Sequence, residues 1–277
     1  MKNIFLFAQF ALVSGFAFAQ APMPSSITPL NSAITLKYAP KFEARCAVKT
    51  YAKKLVDDKG EQKTEANTFE VFEDPNGLLK MSMQVNMGAN YLRMIFGLNS
   101  DGAGFLSTEP EIQTDFKMTE ADNKTMLGLK NALLKMMEWA YKFGVIGKPL
   151  HQGDTSFDLN LCELIKSGST KSKSSNFVVT GTAFIKGREN VIISGDQAFV
   201  CAMDGKQLGI LTKGWYAFDR DSGLQSDSST AGTISLDGNE IATSTEDRDC
   251  VFTGALTKVR DMSHKNTPGK KSSAKRF

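Results

Sequence analysis

The stretch DPNGLLKMSMQVNMGANYLRMIFGL (residues 74–98) decides how the rest of the chain is read. Leu79, Met81, Met83, Val85 and Met87 alternate with Lys80, Ser82, Gln84 and Asn86, the period of two of a strand with one dry face and one wet face. Leu92, Met94, Phe96 and Leu98 repeat the pattern. Ahead of them, Asp74-Pro75-Asn76-Gly77 is a turn, with Asp to cap the backbone and Gly to take a positive φ. Strands joined by such short turns run antiparallel.

Working outward, Phe42, Ala44, Cys46 and Val48 alternate with Glu43, Arg45, Ala47 and Lys49 in the same way. Further β-rich runs occupy residues 157–164, 177–185, 191–194, 198–203, 208–218, 233–236, 240–245 and 250–257. Turn residues stand at 57–60 and at Asp101-Gly102, Asp204-Gly205 and Asp237-Gly238, so the expectation is a meander. One segment departs from it. In residues 123–143 the apolar side chains Met126, Leu129, Leu133, Met136, Met137, Ala140 and Phe143 recur at helical spacing, Thr119 or Asp122 can cap the start, and Gly144 ends it. Such a stripe must be buried, and the sheet is the partner large enough. The fold expected is mainly β: a curved antiparallel sheet, half-barrel or sandwich-like, packed on one amphipathic helix at about 123–143. Met81, Met83 and Met87 from the sheet and Leu129, Leu133, Met136 and Met137 from the helix are the candidate lining of a ligand cavity between them.

The ends of the chain read differently. Lys2, an apolar stretch at 4–18 and Ala17-Phe18-Ala19 form a signal peptide of residues 1–19 with cleavage before Gln20. Residues 20–34 are a Pro-containing flexible lead-in, 35–259 a single β-rich domain with a mobile Lys/Ser loop at 167–175, and 260–277 a disordered basic tail. With Lys2 and the five bases of the tail set aside, 33 basic against 30 acidic residues become 27 against 30, so the body is mildly acidic and nucleic acid is not expected as a partner. No second apolar run is long enough to span a bilayer in the mature chain. The expected location is periplasmic or secreted, with a lipid or an envelope protein as partner.

Cys46, Cys162, Cys201 and Cys250 all follow the signal, and an even count in an exported chain reads as two disulfides. Their wide spacing excludes C-x-x-C redox chemistry. Of three pairings, Cys46 with Cys162 and Cys201 with Cys250 is favoured, because the second pair closes the shorter loop.

Catalytic signals fail on missing partners. GWYAFDRDSGLQSDSSTAG (residues 214–232) carries a D-S-G triplet and a D-x-D pair. An aspartic protease needs a second such aspartate, and a calcium loop needs ligands where Gly223 and Thr230 stand, so the stretch reads as a hairpin. The two histidines, His151 and His264, cannot build a metal centre. His151 with Asp154 reads as a loop pair, Ser194 as a turn residue, and no G-x-S-x-G, P-loop or dinucleotide motif is present, so neither catalytic residues nor a metal or cofactor is expected.

The order of signal peptide, strands, amphipathic helix, a P-x-x-x-G-D loop (Pro149, Gly153, Asp154) and G-W-x-x-x-D-x-x-x-G (Gly214, Trp215, Asp219, Gly223) resembles secreted bacterial β-rich proteins of unknown function. It also resembles the half-barrel lipoprotein-carrier class, in which a curved antiparallel sheet wraps a helix; that resemblance implies an apolar ligand cavity. The paired cysteines depart from the pattern. The leading function is thus a non-catalytic exported envelope protein that binds an apolar ligand or an envelope partner. A structural or assembly factor of the envelope comes second, and a hydrolase using His151 third. Intact-mass measurement of exported protein should give a chain starting at Gln20; retention of Met1 would refute the processing.

Overall fold

The computed structural model describes residues 21–37, 39, 42–54, 62–87, 90–98, 111–115, 145–154, 162, 169–203 and 205–256. Among them the regular elements are strands: β1 (Ile34–Thr35), β2 (Phe42–Lys54), β3 (Gln62–Glu73), β4 (Leu79–Met87), β5 (Asn90–Gly97), β6 (Glu111–Thr114), β7 (Pro149–Leu150), β8 (Ser169–Ser175), β9 (Val178–Ile185), β10 (Arg188–Met203), β11 (Lys206–Asp219), β12 (Gln225–Leu236) and β13 (Asn239–Ala255). Eleven of these form one antiparallel sheet in the order β6-β5-β4-β3-β2-β13-β12-β11-β10-β8, with β9 also paired to β10, and the sheet is not closed. The expectation of a mainly antiparallel β protein holds. Residues 123–143, where the helix is expected, lie outside the described residues.

The turn ahead of β4 forms as its residues dictate. Asp74 Oδ1 accepts the backbone N–H groups of Asn76 and Leu78 at 2.9 and 3.0 Å, and Gly77 takes φ 77°. These backbone bonds, the one from Leu78 first, hold the Asp74 carboxyl below its ordinary range, with Lys80 at 3.0 Å adding to them. Asp237 and Gly238 turn β12 into β13 with φ of 50° and 84°, the positive pair a tight hairpin demands.

Residues that pair across an antiparallel ladder share a face, so the register sorts the side chains. One face collects Ala44, Cys46, Val71, Met81, Met94, Phe96, Val191, Ile193 and Cys250, all buried. Two clusters of the described residues lie along it. Leu36, Val145, Leu150, Phe177, Val179, Val191, Ile193 and Phe218 make one; Ala44, Cys46, Phe69, Val71, Met81, Leu98, Leu224 and Cys250 make the other. Ile146 packs against both, so a residue between β6 and β7 joins strands from the two halves of the sheet across this inner face.

The lead-in is tied to the opposite, outer face. Ala21 N donates to Ser229 Oγ and Trp215 Nε1 donates to Ala21 O, each at 3.0 Å; Ile27 packs on Ala183, Ile192, Trp215 and Ala217; Thr28 and Thr182 exchange both backbone bonds at 2.8 Å. Gly181, with φ 144°, lies directly beneath this strap. A Cβ there would stand 2.4 Å from the Thr28 carbonyl oxygen.

Several expectations need correction. β3 was not anticipated: it is mostly polar, and among its described side chains only Phe69 and Val71 are buried. Residues 191–194 and 198–203 are one strand, β10, running through Gly195 and Asp196. Gly195 is there because the Asn176 carbonyl presses on it, 2.2 Å from where a Cβ would sit, and Ser194 is a mid-strand residue bonded to Thr180 at 2.7 Å. Residues 240–245 and 250–257 likewise merge into the single β13, and the Lys/Ser loop contains β8, an edge strand whose backbone pairs with β10. An edge needs no apolar face, and its lysines discourage pairing with other chains.

Both expected disulfides form, with a different pairing from the one favoured: Cys46–Cys250 and Cys162–Cys201. Cys46 and Cys250 stand directly opposite each other on β2 and β13, whereas Cys201 on β10 is three strands from Cys250, about 14 Å at ordinary spacing and beyond reach of a bridge. Loop length was outweighed by strand order. The bridges close separations of 204 and 39 residues, so chain entropy assigns them on the order of 5 and 4 kcal/mol. Replacing Cys46 and Cys250 by Ser should therefore lower the urea midpoint more than replacing Cys162 and Cys201. Peptide mapping of unreduced protein should yield a Cys46–Cys250 peptide, and a Cys201–Cys250 peptide would overturn the pairing.

Candidate functional site

The inner face is not apolar throughout. Across β2, β13, β12, β11 and β10 the register gives the row Val48, Arg248, Ser228, Tyr216, Ile193; the next row is Thr50, Glu246, Thr230, Gly214, Gly195. A third row carries Ser244, Gly232, Thr212 and Gln197. Beyond it Phe199, Ile210 and Ile234 are buried again. A polar belt thus crosses the centre of the sheet between two apolar ends.

Its charges are held in surroundings that alter them. Lost hydration pushes the Glu246 carboxyl above its ordinary range; Arg248, two residues along the same face, opposes this, and Asp247 adds to it. The same desolvation pushes the Tyr216 phenol up, reinforced by Glu246 and opposed by Arg248. Arg248 also lies over the Phe69 ring, 5.2 Å from its centroid, and Tyr216 meets Phe177 with ring centroids 5.5 Å apart. The belt can therefore offer hydroxyls, an amide and one acid that retains its proton above the usual pH.

Of the candidate cavity residues, Met81 is buried on the inner face, and Met83 is half-buried between Phe69 and Met94. Met87 ends β4 opposite Asn90; its side chain lies outside the described residues, as do Leu129, Leu133, Met136, Met137 and His264. The polar belt was missed because β12 and β13 are polar on both faces there, which erases the alternation of apolar residues. A signal did exist: no Gly or Pro interrupts residues 239–253, so nothing local ends the strand.

The 214–232 stretch is the hairpin it was read to be, joining β11 to β12. Asp219 is buried, takes two bonds from Arg188 at 2.7 and 2.9 Å, and accepts the Ser222 N–H and hydroxyl at 2.9 and 2.6 Å. Gly223, with φ 66°, donates its N–H to the Asp219 carbonyl. Arg188 in turn stacks on the rings of Phe42 and Phe252, 4.8 and 4.5 Å from their centroids. The aspartate that looked catalytic is thus the anchor of a loop. His151 is exposed; Asp154 Oδ2 accepts its backbone N–H at 2.8 Å and lies 3.1 Å from Nδ1, contacts that hold the Asp154 carboxyl below its ordinary range.

The chain is weakly similar to two solved structures. A DUF1329 family protein from Desulfovibrio piger shares 6% identity over 76% of this chain and 86% of that one, with a TM-score of 0.24. A domain described as an outer membrane lipoprotein-sorting protein, from Vibrio parahaemolyticus, shares 7% identity over 77% of this chain and 86% of that one, with a TM-score of 0.20. No protein-family model matches the chain, and no curated protein matches it.

Glu246 makes the belt testable. As pH rises, the unfolded chain releases the carboxyl proton near its ordinary value of about 4.3 while the folded chain still holds it, so stability is lost across that window and the full cost stands above the raised folded value. Glu246→Gln should raise the melting temperature at neutral pH, with the gain shrinking to nothing below the ordinary carboxylate range. A gain that is independent of pH would refute the assignment.

Proposed function

We propose that this chain is an exported, non-catalytic envelope protein that holds an apolar ligand between the inner face of its sheet and residues 123–143, folded as one amphipathic helix. The observation that carries the reading is the path of the chain. It leaves β6, at one end of the sheet, through Asp115, and returns at Val145, buried among side chains of β9, β10 and β11 toward the other end. The strand order puts β6 and β10 about 38 Å apart along a flat sheet, and less along a curved one. A helix over 123–143 is about 32 Å long, which suits a crossing of a half-barrel's inner face.

Two further observations support it. The sheet is open, and it presents Met81, Met94 and Phe96 on the same face as Val191, Ile193 and Phe199, a large apolar surface for a helix and a ligand to share. The methionines Met81, Met83 and Met94 are adaptable lining, able to fit an acyl chain. In this reading residues 35–259 are one domain, export through the signal peptide accounts for the two disulfides, and the ligand is a lipid or the lipid-like part of an envelope partner.

The test is thermal melting of wild type and Leu133→Ala, each with and without a panel of fatty acids and phospholipids. A lipid should raise the wild-type midpoint, and Leu133→Ala should reduce that rise more than it reduces the basal midpoint. No lipid-dependent rise, together with a core-type loss of about 2–5 kcal/mol in the variant, would overturn the reading.

A further inference from the structure

Gln197 is 5% exposed, and its amide oxygen, wholly enclosed, has no hydrogen-bond partner among the described residues. Directly across from it on the edge strand β8 stands Ser175, whose hydroxyl oxygen is equally enclosed and equally without a partner. Two neighbouring orphans on one face are costly, because a buried polar atom left unpaired forfeits its hydration with nothing in return. On the other flank Thr212 faces Gln197 from β11, and beyond Thr212 comes Gly232. Gly232 carries no side chain, and Gly214 lies one row away on the same face.

Resting on the function proposed above, we propose that Gln197 and Ser175 form the headgroup subsite of the ligand, and that it takes a neutral hydroxyl- or amide-bearing amphiphile. The chemistry follows from which atoms are unpaired. A carbonyl oxygen needs a donor, so a carboxylate or phosphate oxygen placed there would be repelled, whereas a hydroxyl satisfies it and can accept from Ser175 in return. Phe199, buried and paired with Ile210, continues the same face and receives the start of the acyl chain.

The experiment compares three probes on the full mature chain: a monoacylglycerol, the fatty acid of the same chain length, and a neutral aromatic dye without hydrogen-bonding groups. Wild type should hold the monoacylglycerol about tenfold more tightly than the fatty acid, the worth of one good hydrogen bond. Gln197→Leu keeps the volume and removes the acceptor; Ser175→Ala, on the edge strand, is the second variant if the first does not fold. Each should bring the two lipids close to parity and leave dye affinity unchanged. A preference that survives in the variants overturns the subsite. So does a wild type that shows no preference while Gln197→Leu melts higher, for then the oxygen holds only water. Dye binding with no lipid binding ends the headgroup proposal alone, whereas binding of none of the three ends the proposed function with it.

Discussion

The pairing of β2 with β13 holds the molecule together. Strands β2 to β6 follow one another across one half of the sheet and β9 to β13 across the other, and the β2–β13 ladder is where the halves meet. Among the described strand pairings it is also the most non-local, joining residues near 46 to residues near 250. Closing such a loop costs conformational entropy before any burial offsets it. The Cys46–Cys250 bridge lies within this ladder, where a crosslink removes most of that cost from the unfolded chain. The second bridge, to Cys201, fastens a residue outside the regular strands to β10, near the opposite end of the sheet.

With the halves joined, the sheet acquires two faces with different duties. The outer one is covered in part by the strap of residues 21–28, which lies over Gly181 and ends against Trp215 and Ser229. The inner one is apolar at both ends and polar in the middle. A belt containing Glu246, Arg248, Thr230 and Gln197 is a poor choice for stability, since each group gives up hydration when the strands assemble. Strands that keep polar groups facing inward, where apolar ones would bury more favourably, show a conflict between local and global preference, and such conflicts mark places where function overrides packing.

Much of the strand content was legible. The alternation in 79–87 and the Asp74 and Asp237 turns correspond to β4 and two hairpin connections, and the D-S-G stretch is a hairpin loop. The failures share one cause. The first part of β3, the middle of β10 and the centre of β13 lack a clean alternation because the residues there that share the inner face are polar or glycine, so reading by hydrophobic period either missed them or cut them in two. Gly195 illustrates the second kind of error: a glycine that local rules assign to a turn is in fact where another backbone comes close.

By itself the sequence determined what depends on neighbours a few residues away, strand period and turn chemistry, and its even cysteine count gave the presence of two disulfides. The tertiary structure alone decided which strands lie side by side, and with that the cysteine pairing, the strap across the outer face and the polar belt inside. The physical reason is that these are properties of the register between distant strands. A side chain's period says that it has a dry side, but only the partner strand says what shares that side with it, and Glu246 lies beside Thr50 because β13 closes on β2.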